Sequence, residues 1–330
     1  MSGRALLRHA IAIGIVLHAF ASPSADAEDW PTRPMTMVVP FAAGGAADPI
    51  ARVLAVGLSQ VLGQQVIVEN IGGAGGMIGA NRIAKAPADG YQFVFGSSGT
   101  FAQSQTLYKH PLYNTMNEFA PVALVTQQPI VLVARKDLPV RGLQEFIAYT
   151  KANQAKMQYG SAGAGSAVHL ACVLLNAAIG VNVTHVPFRG GGPAMQDLIA
   201  GRIDYQCPVN VLALPQIESH TIRAIAVLAP KRSPSLPSLA SAQEQGLADF
   251  DVSTWYAVSL PKATPAAIVQ KLHDATVAAM NIPTVQAQMK KIGADLVAPD
   301  RRSPEYLQEF LGSEIAKWSK TIKASGVVMD

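Results

Sequence analysis

The chain has 330 residues, with 26 basic against 22 acidic side chains and a formal net charge of +4. This mild excess, without a block of Lys and Arg, excludes the strongly basic surface typical of nucleic-acid binding. A chain of this length can bury a large core and exceeds the usual size of one domain, so two lobes are expected.

Residues 1–27 are predicted to form a cleavable secretory signal peptide. Arg4 and Arg8 give a basic start, an apolar run follows over 10–20, and Ala25-Asp26-Ala27 supplies the small residues of a cleavage site. The run is shorter than the roughly 20 residues that a membrane span needs, so cleavage is favoured over an uncleaved anchor. No Cys stands beside Ala27, and a lipid anchor is not indicated. The mature chain is expected to be exported and soluble.

The first predicted lobe begins with strand and helix signals in alternation. A strand is predicted over 35–39, followed by a helix in which Asp48 suits the N-cap and Pro49 the first helical position. That helix is expected to end near Gly63. Further strands are predicted over 65–68 and 92–95. This alternation favours α/β layers around parallel sheets.

Two adjacent apolar runs, 121–126 and 130–134, have nothing helical between them, and we expect the chain to cross to a second lobe there. Strands over 156–159 and 183–186 then lead through glycine-rich loops into helices, one reaching about Ile179 and one opened by Pro193. A strand over 223–228 is expected to return to the first lobe. The last helix is predicted over 303–322.

Four loops of small residues each follow a strand and open a helix, at 41–48, 96–101, 160–166 and 188–193. Helix N-termini expose unpaired N–H groups and the positive end of the helix dipole, and Gly and Ala let a ligand approach that backbone. Such ends bind carboxylates or phosphates. Loops of this kind on two lobes would face each other across a cleft.

Two cysteines, Cys172 and Cys207, are present. An oxidising compartment permits a disulfide between them, although the sequence does not show whether the thiols meet. Two separate buried thiols are the favoured interpretation, and the disulfide is the alternative.

A series of motifs runs in order over most of the mature chain. It begins with Thr32-Arg-Pro-Met-Thr-Met-Val-Val-Pro-Phe-Ala-Ala-Gly-Gly-Ala-Ala-Asp48. The later motifs are Val68-Glu-Asn70, Gly72-Gly-Ala-Gly-Gly-Met-Ile-Gly79, Asp89-Gly-Tyr91, Tyr159-Gly-Ser-Ala-Gly163, Ser166 with His169-Leu170, His185-Val-Pro-Phe-Arg-Gly190, Leu198-Ile-Ala-Gly201, and Trp255 before Pro261. In these motifs the sequence resembles the Bug receptors, the solute-binding proteins of tripartite tricarboxylate transporters.

The resemblance implies a type II periplasmic binding protein, with two doubly wound α/β lobes joined by a hinge and a ligand cleft between them. The lobes would comprise 28–128 with 227–330, and 129–226. The implied partners are a small carboxylate and the membrane subunits of a tripartite tricarboxylate transporter. A monomer of the periplasm, without cofactor, metal or catalytic residues, is expected.

In such receptors backbone amides and hydroxyls hold the ligand's carboxylate, and the matching positions give a candidate site. The first lobe contributes Phe41, Ala42, Ala43, Gly44, Gly45, Ala46, Ala47 and Asp48. The second contributes Ser161, Ala162, Gly163 and Ser166. Wall positions are Ser97, Ser98, Gly99, Thr100, Phe188 and Arg189, and His169 is a further candidate, although capping or packing is favoured for it over catalysis.

Two departures from the family pattern indicate a less polar pocket. Ala46 and Ala47 stand where relatives often carry Ser or Thr before the Asp, and Phe188 stands where Tyr is common. We therefore hypothesise a ligand with an apolar or aromatic body and one or two carboxylates. Of the five aromatic residues assigned to loops or their vicinity, at most two are expected to touch it: Phe41, Phe101, Phe188, Trp255 and Tyr256.

Two other functions are weighed against binding. An exported Ser-dependent hydrolase would use Ser161 or Ser166, but neither has the Gly-x-Ser-x-Gly spacing of a nucleophile elbow, and no acidic partner is marked. Dinucleotide binding at 73–79 is disfavoured because the last glycine comes one position late. His and Cys are not at zinc-ligand spacing. The sequence leaves the identity of the carboxylate open.

Overall fold

The computed structural model describes residues 30–248 and 250–325. The predicted signal peptide lies outside these ranges. Within them, no helix combines the length and the apolar character that crossing a membrane requires. The described chain forms two five-stranded sheets packed against helices, which confirms the predicted class of two α/β lobes.

The first sheet takes four strands from the N-terminal part of the described chain and one strand from further towards its C-terminal end, and the second sheet takes the five strands between them. The strands are β1 (Met35–Val39), β2 (Val66–Asn70), β3 (Gln92–Ser97), β4 (Phe119–Pro129), β5 (Val131–Arg135), β6 (Gln158–Ser161), β7 (Thr184–Pro187), β8 (Tyr205–Gln206), β9 (Ile222–Val227) and β10 (Ser253–Pro261). The first lobe is built on the sheet β2-β1-β3-β10-β4 and the second on β7-β6-β8-β5-β9.

Both sheets combine parallel strands with antiparallel ones. Strand β1 is parallel to β2 and β3, whereas β10 is antiparallel to β3 and β4. In the second sheet β6 is parallel to β7 and β8, and β5 is antiparallel to β8 and β9. The carboxyl ends of the parallel strands carry the glycine-rich loops, so each lobe presents its loops at one edge of its sheet.

The chain leaves the first sheet where the sequence predicts it. Strand β4 ends at Pro129 and β5 begins at Val131, with no helix between. The predicted return at 223–228 is wrong, because β9 pairs antiparallel with β5, Val227 opposite Val131, and belongs to the second sheet. The return comes with β10, which pairs with β3 and β4. The lobe boundaries at 128 and 227 stay a prediction.

The helices cover most of the remaining described chain. They are α1 (Ala47–Leu62), α2 (Met77–Ala84), α3 (Ser104–Leu107), α4 (Thr115–Glu118), α5 (Leu143–Asn153), α6 (Ala167–Ile179), α7 (Gly191–Ile199), α8 (Asn210–Glu218), α9 (Ala266–Asn281), α10 (Pro283–Lys291) and α11 (Pro304–Ser325).

Helix α1 shows why these segments are helical. Ile50, Leu54 and Leu58 recur at a spacing of one helical turn and are fully buried. Burying each such side chain stabilises the fold by about 1.5–3 kcal/mol. The helix ends at Gly63, whose φ of 68° lets its N–H bond to the carbonyl of Ser59.

Asp48 does not cap α1, and that prediction is wrong. The N-cap residue is Ala46, without a side-chain cap, and Asp48 lies inside the first turn. Its Oδ2 accepts a hydrogen bond from the N–H of Gly44 at 3.0 Å, and its Oδ1 lies 3.0 Å from an Arg52 guanidinium nitrogen. The carboxylate therefore ties the preceding loop back onto the helix.

The aromatic pair Trp255–Tyr256 lies within β10 rather than in or near a loop. Trp255 is buried and donates its indole N–H to Glu314 Oε2 at 2.8 Å, and Trp318 donates to the same oxygen at 3.0 Å. Two donors satisfy this buried carboxylate, so α11 is held against the first sheet by polar contacts as well as packing.

Cys172 of α6 and Cys207, just after β8, form a disulfide with their Cα atoms 5.6 Å apart. The preference for two separate thiols is therefore wrong. The sequence separation of 35 residues did not show that the two thiols meet. They meet because β6, which leads into α6, pairs with β8 in the second sheet.

Removing the disulfide is expected to lower the free energy of unfolding by about 3–4 kcal/mol, because the bond closes a loop with a sequence separation of 35. Urea unfolding of the mature wild type, with and without reductant, measures the loss. A Cys172→Ala/Cys207→Ala variant should be insensitive to reductant. Equal stability of the oxidised and reduced wild type would contradict the assignment.

Candidate functional site

A cavity lies between the two lobes, where α1 and α6 begin and near the start of α7. Its empty volume, with the open solvent at the mouth included, is about 440 Å³. The described residues that line it are Phe41, Gly45, Ala46, Ala47, Ser97, Ala162, Ser166, Ala167, Val168, Gly191, Gln206, Pro208, Val209, Leu212, Thr254 and Tyr256. None of these side chains carries a charge.

The loop before α1 presents backbone rather than side chains to the cavity. The N–H of Gly45 donates to the carbonyl of Ala42, and that of Asp48 donates to Gly45. The N–H groups of Ala46 and Ala47 have no protein partner within the described chain, as the first turn of a helix leaves them unpaired.

The Asp48 carboxylate supports this loop from outside the cavity. Although burial opposes ionisation, hydrogen bonds from Arg52 and Gly44 hold the pKa of Asp48 below its usual value. Its charge is matched locally by Arg52, and Asp48 does not line the cavity.

The loop before α6 repeats the arrangement on the second lobe. Ser166 is the N-cap: its Oγ accepts from the N–H of His169 at 3.2 Å and donates to the carbonyl of Gly163 at 2.7 Å. The N–H of Leu170 donates to Ser166 O, and the N–H groups of Ala167 and Val168 have no partner in the part of the chain that the structure describes. Two helix N-termini therefore contribute free donors to one uncharged cavity.

A pair of imidazoles lies behind the α6 loop, with His169 buried and His185 half-buried. The rings of His169 and His185 have centroids 4.2 Å apart, and His169 Nδ1 accepts from the N–H of Gly165 at 3.3 Å. His185 Nε2 lies 2.7 Å from Ser161 Oγ, which accepts from the N–H of Gly163 at 3.1 Å. This network fixes the backbone of the loop.

The imidazoles are held neutral. Burial, with a smaller contribution from His185, lowers the pKa of His169 to about 3, and burial lowers the pKa of His185 to about 4. A neutral His169 can accept the hydrogen bond from Gly165, which an imidazolium cannot. His169 thus positions the loop and does not line the cavity.

The lobes meet backbone to backbone beside the cavity. The N–H of Ala42 donates to the carbonyl of Arg189 at 3.1 Å, and the Tyr108 hydroxyl donates to the carbonyl of Ala164 at 2.8 Å. A Cβ on Gly99 would lie 2.6 Å from the nitrogen of Ala167. The described structure is therefore a closed arrangement, and this approach requires glycine at position 99.

The structure divides the candidate site residues into two groups. Those that line the cavity are Phe41, Gly45, Ala46, Ala47, Ser97, Ala162 and Ser166. Those that lie around it without lining it are Ala42, Ala43, Gly44, Asp48, Ser98, Gly99, Thr100, Ser161, Gly163, His169, Phe188 and Arg189. Of the five aromatic candidates, Phe41 and Tyr256 line the cavity.

Sequence reasoning missed several lining residues, of which Gln206 is the most informative polar one. Gln206 is fully buried, and neither its side-chain nitrogen nor its oxygen has a hydrogen-bond partner among the described residues. It ends β8, at the carboxyl edge of the sheet where ligands bind in α/β folds. The signal was weak because β8 has two residues and no periodic pattern.

The arrangement does not resemble a hydrolytic site. Ser161 has a histidine partner, but its Oγ is fully buried, already accepts from Gly163 and does not line the cavity. Within the described residues, no group of three or more His, Cys, Asp or Glu is placed to hold a metal ion.

The chain is similar to a known protein family and to several solved structures. Residues 50–327 match the family described as "Tripartite tricarboxylate transporter family receptor". The chain is 38% identical to the periplasmic binding protein BugD, with a TM-score of 0.88, covering 91% of this chain and 100% of BugD.

Two similar solved structures carry organic acids. MatC from Rhodopseudomonas palustris, with bound malate, is 36% identical with a TM-score of 0.86 over 89% of this chain and 100% of MatC. A second protein from R. palustris, with adipate, is 34% identical with a TM-score of 0.86 over 91% of this chain and 99% of its own.

The neutral histidine pair predicts a loss of stability in mild acid. An unfolded histidine has a pKa near 6.5, whereas the folded values are about 3 and about 4. The unfolded chain therefore binds protons that the folded chain does not, and the free energy of unfolding falls as pH drops from 6.5 towards 4. Each histidine contributes up to about 1.4 kcal/mol per pH unit.

Urea unfolding at a series of pH values from 7 to 5 measures this slope. Replacing both residues, as His169→Gln/His185→Gln, should flatten it, and His110→Gln, at an exposed position, should leave it unchanged. A slope that is the same in the double variant as in the wild type would show that other groups cause the pH dependence.

Proposed function

The chain belongs to the family of tripartite tricarboxylate transporter receptors, and from this premise we propose that it is a periplasmic solute-binding receptor that captures a small organic carboxylate. The observation that carries the proposal is the set of unpaired N–H groups at the starts of α1 and α6, all at one uncharged cavity.

These donors suit an anion. The N-termini of α1 and α6 contribute the positive ends of two helix dipoles, and their N–H groups are unpaired where a carboxylate would lie. Without a charged lining residue, no side chain competes for the carboxylate or supplies a fixed counter-ion. The backbone supplies recognition in its place.

The rest of the lining suits an apolar ligand body. Phe41, Val168, Val209 and Leu212 line the cavity beside Tyr256. The absence of hydroxyls at Ala46 and Ala47, both of which line it, adds to this apolar character. Adipate, found with one R. palustris relative, is an acid with such a body, and we propose a ligand with an apolar or aromatic body for this chain too.

Capture is proposed to proceed by lobe closure, after export and removal of the signal peptide. A ligand that contacts both α1 and α6 stabilises the closed arrangement because it binds the open one with fewer contacts. The closed monomer would then deliver the ligand to the membrane subunits of a tripartite tricarboxylate transporter. No reaction, cofactor or metal is part of this proposal.

The closing experiment combines ligand identification with a variant that impairs closure. Native mass spectrometry of purified protein, followed by a thermal-shift screen of organic acids, should reveal acids that raise the melting temperature, since binding to the folded state stabilises it. Gly99→Ala should reduce affinity at least tenfold in calorimetry, because the added Cβ would lie 2.6 Å from Ala167 N across the lobe interface.

Gly312→Ala is the matched control. Gly312 lies in α11, where an added Cβ would meet only the Met116 methyl carbon at 3.9 Å, and the variant should bind like the wild type. A receptor that binds no organic acid, or a Gly99→Ala variant with unchanged affinity, would refute capture by closure around a carboxylate.

A further inference from the structure

Gln206 is the residue of the cavity whose hydrogen bonds are most clearly left open. Its amide nitrogen and oxygen are both buried, and neither has a hydrogen-bond partner within residues 30–248 and 250–325. By contrast, the lining hydroxyls Ser97 and Thr254 lie within hydrogen-bond distance of Thr100 and Ser98, at 3.3 and 2.9 Å. Leaving a buried amide unpaired is costly, so a ligand group is expected to pair with it.

The chemistry of an amide restricts that group. The nitrogen of Gln206 donates and its oxygen accepts. A carboxylate can accept from the nitrogen, but it offers no proton to the oxygen and brings negative charge close to it. A group that satisfies both atoms must carry a donor and an acceptor side by side, as a carboxamide, a protonated carboxyl or a hydroxyl does.

Charge favours the same kind of group. The carboxylate expected at the starts of α1 and α6 meets several N–H groups and two helix dipoles. At Gln206 no charged side chain is present among the described lining residues. A second carboxylate there would be buried beside the amide without a counter-ion, which is unfavourable.

We propose that Gln206 makes this receptor select organic acids that carry one carboxylate and, elsewhere on an apolar body, a neutral group with both a donor and an acceptor. The proposal rests on the proposed function, since it assumes that the helix N-termini hold a carboxylate. It assigns Gln206 as the residue that distinguishes such acids from plain dicarboxylates of the same length.

Matched pairs of acids test this selection by titration calorimetry at pH 7. Succinamate, glutaramate and adipamate each differ from succinate, glutarate and adipate by one carboxamide in place of a carboxylate. The wild type should bind the best monoamide at least tenfold more tightly than its dicarboxylate. The gain is expected because only the amide satisfies both atoms of Gln206.

Variants separate Gln206 from the rest of the cavity. Gln206→Met keeps the length of the side chain and removes both polar atoms, so the preference for monoamides should fall to less than threefold. Gln103→Met is the control: Gln103 is buried with an unpartnered oxygen but does not line the cavity, and the preference should persist in it.

Each outcome decides between the proposals. If the wild type binds dicarboxylates as tightly as monoamides, or if Gln206→Met keeps the preference, the selection by Gln206 is overturned while carboxylate capture stands. The wild-type comparison decides even if Gln206→Met does not fold. If no acid of either series binds, both this inference and the proposed function fall.

Discussion

The closed structure depends on one constraint, the approach of two backbones without side chains between them. Ala42 N–H reaches Arg189 O at 3.1 Å, and Gly99 lies so close to α6 that a Cβ would clash with Ala167 N. Position 99 requires glycine for this approach, and the small residues of the loops also leave helix N-termini accessible to a ligand. Lobe closure and ligand recognition therefore both require small residues in the loops.

Because the backbone is proposed to bind the ligand, the ionisable side chains near the cavity support the loops and do not line the cavity. Asp48 is ionised but matched by Arg52 while its other oxygen accepts from Gly44. His169 and His185 are neutral and order the α6 loop through Gly165 and Ser161. Each group fixes a loop conformation without adding net charge beside the ligand, so the field inside the cavity comes from the helix dipoles.

The parts predicted from sequence are those with strong local signals. Apolar periodicity and the positions of glycines predict strand β1, the start and end of α6 and the crossing near Ile130. The ordered motifs predicted the family, and the family match over residues 50–327 confirms it. The errors came where tertiary contacts decide. Asp48 suits an N-cap by type, but it bonds backwards to Gly44. Strand β9 was misassigned because apolar alternation does not state which sheet it joins. Gln206 has no local pattern at all.

The disulfide between Cys172 and Cys207 links the stability of the second lobe to ligand recognition. Cys207 directly follows Gln206, and Cys172 lies on α6, whose first turn carries the unpaired N–H groups of Ala167 and Val168. Strand β8 has only two residues to hold its end in place. The covalent link therefore fixes the separation between the helix N-terminus and the amide. If one binds a carboxylate and the other a neutral polar group, that separation sets the ligand's length, and an oxidising compartment becomes a condition for selectivity as well as for stability.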